Sequence, residues 1–130
     1  MIVDTSAIIA LVHDEPTAEH VYSVLSRDPD TRMSAATRVE LTAVISRYRS
    51  PALHRHVDRL LAELGVRIEA FDSRQAEAAS AAYRDFGKVS GHPARLNMGD
   101  CYSYALASVS GEPLVYVGDD FTHTDVKPGL

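Results

Sequence analysis

The stretch MIVDTSA, Met1 to Ala7, decides the fold of this chain. Its apolar run is short and ends abruptly at Asp4, which is followed by the hydroxyl residues Thr5 and Ser6. Thr5 or Ser6 can cap a helix, so the stretch predicts a buried strand that passes directly into a helix. A carboxylate joined to a buried strand carries a desolvation cost that a purely structural residue would avoid. Asp4 is therefore the first candidate functional residue.

Outward from this stretch, strand-like and helix-like segments alternate along the whole chain. Strands are predicted at residues 1–4, 32–35, 66–70 and 114–117. Helices are predicted at residues 5–13, 18–25, 37–48, 51–64, 73–86 and 98–110. This alternation implies right-handed crossovers, and therefore a three-layer α/β/α domain with a central parallel sheet. Ligands of such sheets bind outside the carboxyl ends of the strands, where the strand order reverses.

Length and composition limit the class of protein. A chain of 130 residues, of which 45% are hydrophobic, predicts a single domain over residues 1–130 with one sizeable core. Cys101 is the only cysteine, which excludes an internal disulfide and favours a reducing, cytoplasmic location. The sequence has neither a signal-peptide pattern nor an apolar run near the ~20 residues of a membrane span, so we expect no association with a membrane.

The charge balance is acidic. The formal net charge is −5, from 18 acidic and 13 basic residues, which argues against a protein that coats nucleic acid with a broad basic surface. Any contact with nucleic acid is therefore expected to be local. Its base preference would depend on which of Arg47, Arg49, Lys88 and Arg95 face the site, although surface charge on solvated helices is the ordinary explanation for such residues.

Four acidic residues fall where the carboxyl ends of the strands would bring them together. Asp4 ends the first strand, Glu40 follows the second, Asp100 opens a late helix and Asp119 follows the last strand. Two like charges ~4 Å apart repel by roughly 4 kcal/mol at an effective dielectric constant near 20, so this cluster requires protonation or a bound cation. Ligands that are all oxygen favour Mg²⁺, with Mn²⁺ as the alternative.

Each of these acidic residues also has a structural interpretation. The segments TRVE at 37–40 and NMGD at 97–100 have the spacing of a capping box, in which an acidic side chain and a polar cap satisfy the backbone at the start of a helix. The segment GDDF at 118–121 is typical of an acidic turn. What favours the functional interpretation is the coincidence of four acidic residues at four equivalent places in the fold.

Four longer segments contain these acidic residues. They are MIVDTSAIIALV from residue 1, SAATRVEL from residue 34, RLNMGDCYSYALA from residue 95 and LVYVGDDFTHTDV from residue 114. In order and spacing they resemble the PIN-domain ribonucleases and, within them, the VapC-type toxins of bacterial toxin–antitoxin pairs. The resemblance covers the whole length and implies a Mg²⁺-dependent endoribonuclease with a PIN-like fold.

The resemblance places the family's catalytic carboxylates on Asp4, Glu40, Asp100 and Asp119. Our hypothesis is that Asp4 and Asp100 hold one Mg²⁺ directly, while Glu40 and Asp119 complete its surroundings through water or a second ion. Asp120 adjoins Asp119 and is the alternative fourth carboxylate. Asp119 is preferred at this stage because it is nearer the end of the strand.

Several neighbours of the acidic residues need their own interpretation. Thr5 and Asn97 are expected either to orient the carboxylates or to serve only as helix caps. Met98 stands where the family motif usually has Phe, a change that a flexible apolar position tolerates. Cys101 adjoins Asp100 without an evident histidine partner, and we expect it to be a small core residue rather than a nucleophile.

The resemblance also implies partners, namely an RNA substrate, a cognate VapB-type antitoxin whose basic segment blocks the site, and a homodimer. Apolar residues at 18–25 and 53–64 exceed what one core face needs, which leaves room for an antitoxin groove or a dimer interface, with core packing as the competing explanation. The alternative function is a noncatalytic α/β module that binds a metal or a basic peptide in its acidic pocket.

Overall fold

The computed structural model describes residues 1–130, which form four strands and six helices. The strands are β1 (Ile2–Val3), β2 (Arg32–Ser34), β3 (Arg67–Glu69) and β4 (Leu114–Val115). The helices are α1 (Thr5–Val12), α2 (Ala18–Leu25), α3 (Ala35–Ser46), α4 (Pro51–Glu63), α5 (Ser73–Phe86) and α6 (Met98–Ser110). Every predicted element is present, and α2, α5 and α6 have the predicted bounds. No helix combines the length and hydropathy that crossing a bilayer requires.

The sheet is entirely parallel and has the order β3-β2-β1-β4. Ile2 of β1 stands opposite Arg32 on one side and Leu114 on the other. The chain moves outward from β1 to β3 and then returns to the opposite side of β1, so the strand order reverses between β1 and β4. This reversal is where ligands of such sheets bind, and Asp4 leaves β1 there.

Apolar side chains pack on both faces of the sheet. Val3 and Val115 belong to one buried cluster, which includes residues of α1, α2, α3 and α4. Ile2 and Leu114 belong to a second cluster, formed mainly with α5 and α6. Successive strand residues point to opposite faces, so β1 and β4 each contribute to both clusters. The predicted three-layer α/β/α architecture with a central parallel sheet is confirmed.

The surplus of apolar residues on α2 and α4 is largely part of the core. Val21 and Leu25 of α2 are fully buried, and Val57, Leu60 and Leu61 of α4 are buried in the same cluster. Core packing, the competing explanation, therefore accounts for most of that surplus. Burial of side chains of this size stabilises a fold by ~1.5–3 kcal/mol each.

The start of α3 differs from the prediction. Ser34 caps this helix, since its hydroxyl accepts a hydrogen bond from the amide of Ala36 at 3.3 Å. Thr37 is therefore inside the helix, where its hydroxyl lies 3.1 Å from that of Ser103 on α6, and the interpretation of residues 37–40 as a capping box is wrong. Val39 lies on the outer face of α3 and is 70% exposed. The buried positions of α3 are Thr37, Leu41 and Ile45.

Candidate active site

Asp4 lies at the carboxyl end of β1 and is itself the cap of α1, in place of the predicted Thr5 or Ser6. Its Oδ2 atom accepts hydrogen bonds from the amide of Ser6 at 2.9 Å and from the Ser6 hydroxyl at 2.7 Å. The Ser6 hydroxyl oxygen in turn accepts a bond from the amide of Val117, just past β4, at 3.1 Å. These bonds tie the buried Asp4 carboxylate to both strands of the reversal point.

Asp100 is held in the first turn of α6 by the capping box that the sequence predicted. Its Oδ2 accepts a hydrogen bond from the amide of Asn97 at 2.7 Å, and the Asn97 side chain accepts one from the amide of Asp100 at 2.9 Å. Asp100 is only 8% exposed. Asn97 therefore both caps the helix and orients the carboxylate.

The Glu40 carboxyl group lies between α1 and α6. It accepts a hydrogen bond from the hydroxyl of Thr5, which confirms that Thr5 orients an acidic side chain. On its other side it packs against Gly99, where an added Cβ atom would lie only 2.5 Å from Glu40 Oε1. Glycine at position 99 is thus what allows Glu40 to approach the start of α6.

The pKa of Asp100 reflects both its burial and the acidic side chains around it. The pKa of Asp100 is raised from 3.8 to about 7, mainly because the group is buried. The hydrogen bond from Asn97 lowers this pKa, and the charges of Asp4, Asp120 and Glu40 raise it further. Three other acidic residues therefore act on Asp100 directly.

Glu40 shows the same effect to a smaller degree. Its pKa is raised, first by burial and then by the charge of Asp4, while the hydrogen bond from Thr5 and the charge of Arg47 lower it. The site thus favours the protonated forms of Asp100 and Glu40 as long as no cation is present. A bound cation would shift both groups back toward their charged forms.

The two candidates for the fourth carboxylate differ in their surroundings. Asp119 and Asp120 are both exposed, in the turn that follows β4 at Gly118, whose φ of +102° lies in the region that favours glycine. The Asp119 carbonyl accepts a hydrogen bond from Thr122, which closes the turn. Of the two charges, only that of Asp120 is among those that raise the pKa of Asp100.

The donor set fits a hard divalent cation. Asp4 and Asp100 each use Oδ2 for hydrogen bonds, while Oδ1 of each has no protein partner and is not sealed from solvent. No three carboxylate, imidazole or thiol groups are close enough to form a ready-made metal cage. Mg²⁺ needs no such cage, because it is usually held by one or two carboxylates together with water and substrate phosphate.

Two residues that matter for this geometry escaped the sequence analysis. Ser6 connects Asp4 to the segment after β4, and Gly99 makes room for Glu40. A signal for Gly99 was present, since glycine inside a helix costs ~1 kcal/mol relative to alanine and needs a compensating reason. The role of Ser6 depends on a contact 111 residues away in the sequence, which no local pattern reveals.

Cys101 faces the second core cluster rather than the site. It is buried, and burial together with the charge of Asp100 raises the pKa of its thiol to about 12. A thiol with such a pKa stays protonated near neutral pH and is a poor nucleophile. The interpretation of Cys101 as a small core residue is confirmed by its packing.

Comparison with known proteins agrees with this geometry. The PIN domain family model matches residues 1–127. Ribonuclease VapC42 of Mycobacterium tuberculosis is 57% identical over 128 residues, 98% of each chain, and ribonuclease VapC28 of the same species is 48% identical over 130 residues. A solved structure of VapBC2 from Rickettsia felis bound to promoter DNA aligns with a TM-score of 0.74 at 14% identity. The alignment covers 98% of this chain and 95% of that chain.

A second solved structure has the same fold. VapC20 of Mycobacterium tuberculosis, described as a toxin that cleaves the sarcin–ricin loop, aligns with a TM-score of 0.71 and 19% identity over 98% of each chain. At these identities the solved structures establish the fold alone. The family follows from the full-length match to the family model and from relatives that are about half identical to this chain. The chain belongs to the PIN-domain family, in its VapC branch.

Proposed function

We propose that this protein, as one PIN-like domain over residues 1–130, is a metal-dependent endoribonuclease toxin that hydrolyses RNA phosphodiester bonds in the cytoplasm. The observation that carries the proposal is the group of acidic side chains at the strand-order reversal, whose charges act on the buried Asp100. Relatives that are 57% and 48% identical are named ribonucleases, which supports RNA as the substrate class.

In this proposal Asp4 and Asp100 would hold the cation, since each keeps one carboxylate oxygen without a protein partner. Mg²⁺ is the proposed ion, with Mn²⁺ as the alternative, because all available donors are oxygen atoms. When bound, the cation offsets the charge of the carboxylates and of the phosphate, and it acidifies the water that attacks phosphorus. In the same proposal Glu40 orients that water and accepts its proton, and its contacts with Thr5 and Gly99 support this role by fixing the carboxyl group.

For the fourth carboxylate we propose Asp120 rather than Asp119. The charge of Asp120 acts on Asp100, and no such effect of Asp119 is found. The preference for Asp119 rested on its position nearer the strand end, but the left-handed turn at Gly118 redirects the chain immediately after β4. Replacement of each residue by Asn distinguishes them, because only the Asp120 variant is expected to lose most of its activity.

We further propose that a cognate VapB-type antitoxin neutralises the protein and that the toxin forms a homodimer. A solved structure with this fold is described as a toxin–antitoxin complex from Klebsiella pneumoniae, and another contains VapBC2 from Rickettsia felis. The acidic site itself supports the inhibitory contact, since an arginine side chain supplied by a partner would offset the same charges that a cation offsets.

The test is RNA cleavage by purified protein with Mg²⁺, with Mn²⁺ and with EDTA. We expect fragments only when the divalent ion is present, and none from Asp4→Asn under any condition. Asp85→Asn is the matched control, because Asp85 is an exposed carboxylate on α5 outside the site. RNA or metal binding without fragments would support the noncatalytic module instead.

A further inference from the structure

A cleft of about 360 Å³ adjoins the carboxylate cluster, and cationic and acidic side chains line it together. Lys88, Arg95 and His123 share this cleft with Asp119 and Asp120. The charge of Asp120, which lines the cleft, also acts on Asp100, so the cleft lies near the candidate active site. Its volume is in the range of roughly 300–1,000 Å³ that is usual for pockets that bind small ligands or parts of larger ones.

The two permanent cations of the cleft are unpaired. Lys88 and Arg95 are exposed, and neither forms a salt bridge, although two carboxylates line the same space. By contrast, Arg38, Arg67 and Arg84 each pair with a nearby carboxylate. Lys88 and Arg95 are therefore available to an anion from outside the protein.

Backbone hydrogen bonds join the two ends of the loop at residues 87–96, which carries these cations. The amide of Lys88 donates to the carbonyl of Leu96 at 3.1 Å, and the amide of Leu96 donates to the carbonyl of Phe86 at 2.9 Å. Within the loop, the Ser90 hydroxyl donates to the carbonyl of Gly87 at 2.8 Å. Hydrogen bonds thus fix the backbone at Lys88 and at Leu96, next to Arg95, which lowers the loss of backbone entropy when an anion binds there.

We infer that Lys88 and Arg95 form a phosphate-binding subsite that holds the RNA backbone beside the scissile bond. The inference rests on the proposed function and identifies the part of the chain that positions the substrate. A backbone phosphate near the acidic cluster is repelled by Asp119 and Asp120, so it needs cations within the same cleft to bind there. Arginine suits this role because its planar guanidinium contacts two phosphate oxygens at once.

Contacts to phosphate position a strand without reading its bases. The subsite is therefore expected to affect all RNA sequences alike, and to act on affinity rather than on the chemical step. In the active enzyme, Lys88→Gln and Arg95→Gln should raise KM with little change in kcat. A merely structural role of the loop would lower the melting temperature instead.

The decisive experiment measures RNA binding without cleavage. Asp4→Asn serves as the background, since it blocks the proposed reaction and also removes one charge that repels RNA. The variants Lys88→Gln and Arg95→Gln are added to this background, with Arg84→Gln as the matched control because Arg84 is an exposed arginine on α5 outside the cleft. The Kd for a short single-stranded RNA is then measured by fluorescence anisotropy over a range of salt concentrations.

Removal of either cation is expected to weaken binding roughly three- to tenfold and to reduce the slope of log K against log salt by ~0.7 for each phosphate that is no longer neutralised. Arg95→Lys should keep the slope but bind less tightly than arginine, while Arg84→Gln should match its background. Unchanged RNA affinity in both glutamine variants would overturn the inference. It would do so even if the same variants bound the antitoxin more weakly. Failure of the proposed function is a different result, namely no cleavage by the unaltered protein with Mg²⁺.

Discussion

Replacement of Asp100 by Asn should make the metal-free protein more stable while it abolishes cleavage. Asn keeps an oxygen that can accept the hydrogen bond from Asn97, so the start of α6 is expected to stay intact. What the change removes is a buried negative charge surrounded by those of Asp4, Asp120 and Glu40. The substitution should therefore raise the stability of the protein at every pH at which Asp100 of the unfolded chain is ionised.

The magnitude follows from the pKa of Asp100. A rise from 3.8 to about 7 corresponds to roughly 4 kcal/mol, since one pKa unit is ~1.4 kcal/mol. Above pH ~7 the group is charged in both states and the destabilisation is complete. Between ~7 and ~4 the folded protein keeps the proton that the unfolded chain loses, so the destabilisation shrinks as the pH falls. Below ~4 both states are protonated and the effect disappears.

The assay is urea unfolding in EDTA, followed by circular dichroism, for the unaltered protein and Asp100→Asn. We expect the variant to be more stable by roughly 2–4 kcal/mol near pH 8 and by roughly 1–2 kcal/mol near pH 5, with unchanged m-values. Saturating Mg²⁺ should narrow the difference, because it stabilises only the protein that binds it. A variant that is less stable near pH 8, or a difference independent of pH, would refute the reasoning.

Three further predictions concern single contacts. Gly99→Ala should push the Glu40 carboxyl group away and lower kcat at least ~10-fold. The helical signal and the melting temperature should change little, because alanine favours a helix. Full activity of this variant would contradict the role of Gly99. Thr5→Val removes a hydrogen bond that lowers the pKa of Glu40, so this pKa should rise and activity should increase only at higher pH. An unshifted pH–rate profile would argue against this role of Thr5. Tyr104→Phe removes the 2.7 Å bond to Asp125 and should cost ~0.5–1.5 kcal/mol in urea unfolding without changing cleavage.

Much of the fold follows from local sequence signals. The bounds of α5 are set by Asp72, whose side chain caps the helix, and by the chain's turn at Gly87. The left-handed glycine that ends α6, Gly111 with a φ of +70°, is likewise visible in the sequence. Signals of this kind act within a few residues, and they were sufficient to give the order of the elements and thus the parallel sheet.

The errors occur where a distant contact overrides a local pattern. Residues 37–40 have the spacing of a capping box, but Ser34 precedes them at the end of β2 and caps the helix first. Thr37 then finds its partner in Ser103, 66 residues away. Such a contact between α3 and α6 could not be read from the spacing of residues 37–40. The choice between Asp119 and Asp120 stays a prediction, because two adjacent residues of one turn have no difference in spacing that separates them.

A carboxylate can start a helix and serve the site at the same time: Asp4 is the cap of α1, and Asp100 is the acidic member of the capping box that Asn97 begins at α6. The partial positive charge at each helix N-terminus stabilises the carboxylate there. In both residues the bonds at the start of the helix engage Oδ2 and leave Oδ1 without a protein partner. Capping therefore makes the repulsive cluster tolerable in the metal-free fold. It also explains why substitution by Asn, which retains a capping oxygen, should remove the charge and leave the helices in place.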